Sequence, residues 1–368
     1  MVRASISHAL ILLALLAATA AVYAPLRAAP FVFEDENWMP ELTEPVASTP
    51  LTIRPSRTLT HATFRWTYDH FNLAPAPWHL TNVGLHLVNG VLVYAVTATV
   101  ATPLVALGAA SLFLVHPLNS EAVSYVTGRT DLLATMFVLL AVLTALSTWH
   151  WALRASVCLG LLVCAWSSKE MGIVGGPLVL LAVWRWQRPR VPRLVICASA
   201  IGVGIYVGAM WGRFVGALTM VGNAGGSFLA VRDYAVLQVG MIWKYMVMAL
   251  WPIGQTIDHD ALALGPVWLA LSAAGCVLVL IAAWALWRRW PTMAWSITWV
   301  VVALAPRLVV RTSEFITEPQ MYLALIGVWI GLSSAAIGAW NALMALDRDG
   351  WSLCHEKERC FSAPQVGR

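Results

Sequence analysis

The chain has 368 residues and a mass of 40.0 kDa, a length that by itself suggests two soluble domains. Composition overrides that expectation: apolar residues make up 60% of the chain and charged residues 11%, where about 45–50% and about 25% are usual. With 23 basic and 18 acidic residues and a mean hydropathy of +0.73, most of the surface must meet lipid, which excludes a soluble enzyme, a disordered hub and a DNA-binding protein. The net charge of +5 is scattered among apolar runs, so no nucleic-acid partner is expected. Cys158, Cys164, Cys197 and Cys276 lie inside apolar runs and Cys354 and Cys360 in a polar tail. They read as free thiols rather than a disulfide frame or a zinc site.

In chain order, Arg3 precedes an apolar stretch from Ala9 to about Leu26, read as a retained signal anchor with the N-terminus in the cytoplasm. Residues 28–78 are too polar to span and form a large first external loop, with short amphipathic helices near "RTLTHATFRWTYDHF". Apolar runs follow at about 79–99, 103–116, 131–150, 155–167, 171–184, 194–212, 264–286, 292–306 and 320–340. Several fall short of the ~20 residues of a perpendicular span, so tilt or burial must make up the difference. The run 235–251 does not fit the parity and is read as re-entrant or interfacial. The expected architecture is an all-α polytopic membrane protein of about 10–11 transmembrane or re-entrant helices, residues 1–340, followed by a short polar cytoplasmic tail, 341–368.

Charge orients this bundle. The arginine-rich loops 185–193 and 287–290 fall on the cytoplasmic side if the N-terminus does. Of the 18 acids, 14 then fall outside, the other four lying in the tail. Arg54, Arg57, Arg129, Lys169, Arg213, Arg232, Lys244, Arg307 and Arg311 share the external face. Opposite charges gathered at the mouths of short helices are the pattern of an outward-facing polar site.

Five segments carry side chains fit for chemistry. "FVFEDENW" places Glu34, Asp35 and Glu36 just beyond the first span, where like charge and desolvation would raise one carboxyl toward the range of a general base. A solvated acidic loop is the plainer alternative. "WHLTNVGLHLVNG" puts Asn82, His86 and Asn89 on one helical stripe, suited to bundle packing first and ligand contact second. "HPLNSEAVSYVTGRTDLL" holds His116, Glu121, Arg129 and Asp131. There two roles stay open for the Arg129–Asp131 pair: anchoring a helix start, or a guanidinium grip on phosphate. In "WSSKEMG", Lys169 and Glu170 pose the same choice or pair with each other. Asp258, His259 and Asp260 are metal-ligand types, but their spacing is too weak to assign a divalent cation.

Taken in order, "FVFED", "RTLTHATF", "WHLTNVGLHLVN", "HPLNSEAVSYVTGRTDLLA", "SSKEMG", "WPIGQTIDHD" and "EPQMYLALIG" resemble the membrane core of the transmembrane and tetratricopeptide-repeat O-mannosyltransferases and their bacterial relatives, over about residues 31–327. The resemblance implies a GT-C fold and an integral-membrane glycosyltransferase. Such an enzyme takes a sugar from a polyprenyl-phosphate carrier and gives it to a hydroxyl acceptor outside the cytoplasm. The family commonly shows two aspartates after "FVF"; here Glu34 and Asp35 stand there, leaving open which is the base. Its "GR-x-DLL" falls on Gly128, Arg129 and Asp131, its "SKE" on Ser168, Lys169 and Glu170, and its "E-x-x-x-YL" on Glu318, Tyr322 and Leu323. Gln320 stands where the family often has arginine. No period of about 34 residues occurs, so a repeat-mediated protein acceptor is not supported.

The expected reaction is an inverting transfer with Asp35 or Glu34 as base. Arg129 and Lys169, then Arg307 and Arg311, stabilise the departing phosphate. Glu318, Tyr322, His86, Asn82, His116 and Asp258 complete the candidate binding residues. A metal is optional in this fold and not favoured, and no cofactor is assigned. The expected setting is a bacterial cytoplasmic membrane with the site facing the periplasm. The chief alternative is a transporter or flippase for a lipid-linked or anionic substrate, which would be expected to show internal repeats or broken helices at mid-membrane.

Overall fold

The computed structural model describes residues 2–32, 35, 57–186, 231–256, 265–308 and 316–361, with side chains placed for all of these except 2–5, 231–233 and 346–361. Among the described residues every regular element is helical and no strand occurs. The α-helices are α1 (Val2–Tyr23), α2 (Thr58–Phe71), α3 (Pro75–Val100), α4 (Pro103–Val115), α5 (Ser120–Ser124), α6 (Arg129–Leu146), α7 (Trp151–Ser168), α8 (Gly175–Trp186), α9 (Val231–Leu250), α10 (Pro266–Arg289), α11 (Pro291–Leu304) and α12 (Met321–Phe361). Six of the described helices are long and apolar enough to cross a membrane, and a seventh span results if α4 and the bent segment Pro117–Ser124 count as one. The chain is thus an all-α polytopic membrane protein. The apolar run at 194–212 lies outside the described residues.

Prolines mark where spans begin. Pro75, Pro103, Pro266 and Pro291 each open a helix, where a missing N–H costs nothing and the fixed φ is already helical. Thr102 adds a side-chain cap, accepting from the Val105 amide at 3.4 Å. The short apolar runs are lengthened by tighter turns: Glu170–Val174 leads into α8, and Ala305–Leu308 continues α11. The run at 235–251 forms α9, and the polar residues after Asn341 continue α12 without a break to Phe361.

Alternation of the spans brings one set of helix ends together. The end of α1, the starts of α3, α6, α8 and α12, and the ends of α7, α9 and α11 share one face of the bundle. All the placed acids, Asp35, Asp69, Glu121, Asp131, Glu170 and Glu318, lie toward it, whereas Arg154, Arg185, Arg288 and Arg289 lie toward the other. The α6 helix is central, packed on α3, α7 and α8; α1 and α10 are peripheral.

In lipid the hydrophobic effect does not drive helices together, so close packing and interhelical hydrogen bonds must. A polar stripe on α3 does this. His79, Asn82, His86 and Asn89 are 0–2% exposed. Each bonds another segment: His79 to Ser124 O, Asn82 to Tyr125 O, His86 to Leu114 O and the Tyr322 hydroxyl, and Asn89 to Leu132 O. The packing role read from the spacing of Asn82, His86 and Asn89 is the one these bonds perform.

Candidate active site

The site is built on the turn 125–128 between α5 and α6. The carboxylate of Asp35, arriving from beyond α1, accepts from the backbone amides of Val126 at 2.8 Å and Thr127 at 2.9 Å. It is 1% exposed. Burial pushes the Asp35 carboxyl above its ordinary value; the two amides and the nearby His79 oppose that without cancelling it. Glu34 lies outside the described residues.

The turn needs glycine. A Cβ on Gly128 would stand 2.1 Å from the carbonyl oxygen of Ala122. Gly128→Ala is expected to force the turn off α5 at roughly 1–3 kcal/mol, read as a lowered melting temperature. Gly172 has the same role after α7: its Cβ would meet Ala165 O at 2.3 Å.

Arg129 opens α6 and is fully buried. Its guanidinium donates to Asn82 Oδ1 at 3.0 Å, Thr67 Oγ1 at 3.0 Å, Trp78 O at 3.2 Å and Thr63 O at 3.4 Å. It lies over the rings of Phe64 at 4.9 Å and Trp78 at 5.4 Å. In this geometry the guanidinium is held by protein acceptors. The fork binds α2, α3 and α6 into one block while its charge stays in electrostatic reach of Asp35. A phosphate would reach it only by displacing protein acceptors.

Lys169 and Glu170 do not pair with each other. Lys169 is in extended conformation, so consecutive side chains diverge. Its ammonium lies 2.6 Å from Asp131, and Glu170 meets Arg57 at 3.2 Å. Asp131, Thr135, Lys169, Gln320 and Leu323 line a cavity of about 20 Å³, room for one water-sized group. Any larger ligand therefore needs this cleft to widen.

Other candidates surround this cavity or stand away from it. The Tyr322 hydroxyl donates to His86 Nδ1 at 2.7 Å, accepts from Asn89 at 3.3 Å and interacts electrostatically with Asp131. His86 Nε2–H in turn donates to Leu114 O. Glu318 accepts from the Thr256 amide and from Gln255, latching the loop after α9 to the start of α12. Arg307, 1% exposed, interacts with Tyr245. His116 accepts from the Leu118 amide and packs on Trp329, with ring centres 4.9 Å apart. Arg311 and Asp258 lie outside the described residues. Among the described residues no three His, Cys, Asp or Glu side chains cluster as a metal site. Arg57, placed on the external face by the sequence, gains Glu170 as its partner; two contributors escaped the sequence reading, the Val126 and Thr127 amides and His79. The last sits three residues before Asn82, where the polar stripe extends one turn back.

Comparison with known proteins gives partial matches in keeping with the motif series. The chain is 40% identical to Protein O-mannosyl-transferase TMTC3 of Mus musculus over 88 residues, 24% of this chain and 10% of that protein. It is 27% identical to Protein O-mannosyl-transferase F38B6.6 of Caenorhabditis elegans over 215 residues, 55% of this chain and 30% of the relative. To Protein O-mannosyl-transferase TMTC2 of Mus musculus it is 31% identical over 128 residues, 32% of this chain and 15% of that protein. The chain thus spans less than a third of the length of these relatives. No family model and no solved structure matches it.

Proposed function

We propose that this protein is an integral-membrane glycosyltransferase of GT-C type. It moves a sugar from a polyprenyl-phosphate carrier to a hydroxyl acceptor on the face where its acids collect. The observation that carries the reading is the Asp35 carboxylate, buried on two backbone amides beside Arg129 at the acidic end of the bundle. The names of the relatives support mannose as the sugar and protein as the acceptor. Arg154, Arg185, Arg288 and Arg289, at the end that carries no placed acid, support a cytoplasmic location for that end, by the positive-inside rule, and hence an active site facing the periplasm.

In this mechanism Asp35 takes the proton of the acceptor hydroxyl as its oxygen attacks the anomeric carbon from the side opposite the phosphate. The bond to the phosphate oxygen breaks and the configuration inverts. Polyprenyl phosphate leaves as an anion, so the site needs a cation near it more than an acid. Lys169 fits that role: its ammonium lines the cavity, held there by Asp131. Arg129 contributes by fixing the turn that carries Asp35.

A buried base implies a pH signature. Since Asp35 must be ionised and its carboxyl titrates above the ordinary value, kcat/KM should fall as pH drops through that raised value, well before the ~3.9 of a free aspartate. The folded state holds this proton more tightly than the unfolded chain, so the associated stability is present at low pH and is lost as pH rises through the same value. The reading itself is tested in nanodiscs with polyprenyl-phosphate-linked mannose. Release of polyprenyl phosphate, with a product of inverted anomeric configuration by NMR, is expected; retention of configuration would contradict the mechanism.

A further inference from the structure

The turn that holds Asp35 also holds an imidazole. His79, on the first turns of α3, is 2% exposed, and its Nδ1 lies 3.0 Å from the carbonyl oxygen of Ser124. A carbonyl can only accept, so Nδ1 carries the proton and Nε2 of the neutral ring keeps a bare lone pair. That Nε2 is shut off from solvent and has no hydrogen-bond partner among the described residues. The ring cannot turn to find one. It is fixed at Nδ1 and stacked on Phe31, with centroids 6.1 Å apart and planes 29° from parallel. Ser124 binds the imidazole, and Val126 and Thr127 bind the carboxylate, so both groups hang from four consecutive residues.

A buried unpaired acceptor is costly and calls for an explanation. The Ser124 bond alone does not supply one, because it engages only Nδ1. Neither does Arg129, whose donors are directed to Asn82, Thr67, Thr63 and Trp78. Asp35 and Nε2 are two acceptors held by the same turn, and one hydroxyl has only one proton to give. The pair therefore fits a ligand bringing two hydroxyl donors into one dry site, which is what a carbohydrate and its acceptor together offer. We propose that His79 contacts substrate, its Nε2 accepting a hydrogen bond from a hydroxyl of the donor sugar or of the acceptor while Asp35 receives the reacting proton. This rests on the glycosyl-transfer reading above.

Two near-isosteric variants separate a functional from a structural imidazole. His79→Asn keeps a donor where Nδ1 was and removes Nε2; His79→Gln places an acceptor near Nε2 and loses the bond to Ser124. Release of polyprenyl phosphate from polyprenyl-phosphate mannose, thermal unfolding, and binding of that lipid and of sugar-free polyprenyl phosphate by native mass spectrometry are measured for wild type and both variants. The proposal predicts that His79→Asn melts with the wild type yet loses roughly ten-fold or more in kcat/KM, while His79→Gln is the more active of the two. Weaker binding of the phosphosugar alone would place the hydroxyl on the sugar; unchanged binding with lost turnover would place it on the acceptor. Wild-type turnover in His79→Asn, an activity order of Asn above Gln, or an Asn variant that does not fold would each overturn it. A wild type that neither binds nor consumes the phosphosugar would overturn the functional reading, and this inference with it.

Discussion

Asp35→Asn is expected to lower sugar transfer by roughly 10²–10⁴-fold, the range lost when a positioned general base is removed. Two effects combine in that number. The amide cannot take a proton at working pH. It also disturbs the cradle, because a carboxylate accepts from both the Val126 and Thr127 amides, whereas a carboxamide has one oxygen and must turn its NH₂ toward the other N–H. Asp35→Glu separates the two contributions, since it keeps the charge but cannot keep both distances. Some activity should return with glutamate and little with asparagine. Single-turnover rates at saturating lipid donor make the comparison; equal rates in wild type and Asp35→Asn would remove Asp35 from the chemistry.

Arg129→Ala should be the most destabilising single change in the described bundle, at roughly 3–5 kcal/mol. The change removes a fully buried side chain, strands Asn82 Oδ1, Thr67 Oγ1 and Trp78 O without their donor, and opens a hole between the rings of Phe64 and Trp78. Arg129→Lys should recover little, because an ammonium cannot reach acceptors spread across a guanidinium fork. Thermal unfolding in detergent reads this directly. If Arg129 instead grips phosphate, Arg129→Lys would melt near the wild type and lose affinity for the lipid donor only.

How much of this the sequence disclosed depends on the range of the interaction. Local signals were legible: the apolar run at 79–99 is α3, and the stripe of Asn82, His86 and Asn89 faces other helices. The prolines that open α3, α4, α10 and α11 could have set those boundaries more closely. Pairings between distant segments were not legible. Lys169 meets Asp131 across 38 positions and Glu170 meets Arg57 across 113, and no periodicity reports such distances. The bend of 58° between α4 and Pro117–Ser124, which swings the turn 125–128 beneath Asp35, also arises from tertiary packing. Arg129 shows the limit most plainly. A sequence can display a guanidinium, but only the fold reveals that protein acceptors already hold it.

The central claim is that this bundle binds a polyprenyl phosphosugar and that Asp35 turns it over. Native mass spectrometry of the purified protein with added polyprenyl-phosphate mannose, wild type beside Asp35→Asn, addresses both halves in one experiment. The account predicts a bound phosphosugar in each protein, converted with time to bound polyprenyl phosphate in the wild type alone. A wild type that holds no such lipid in excess donor, or conversion at the same rate in both, would contradict it.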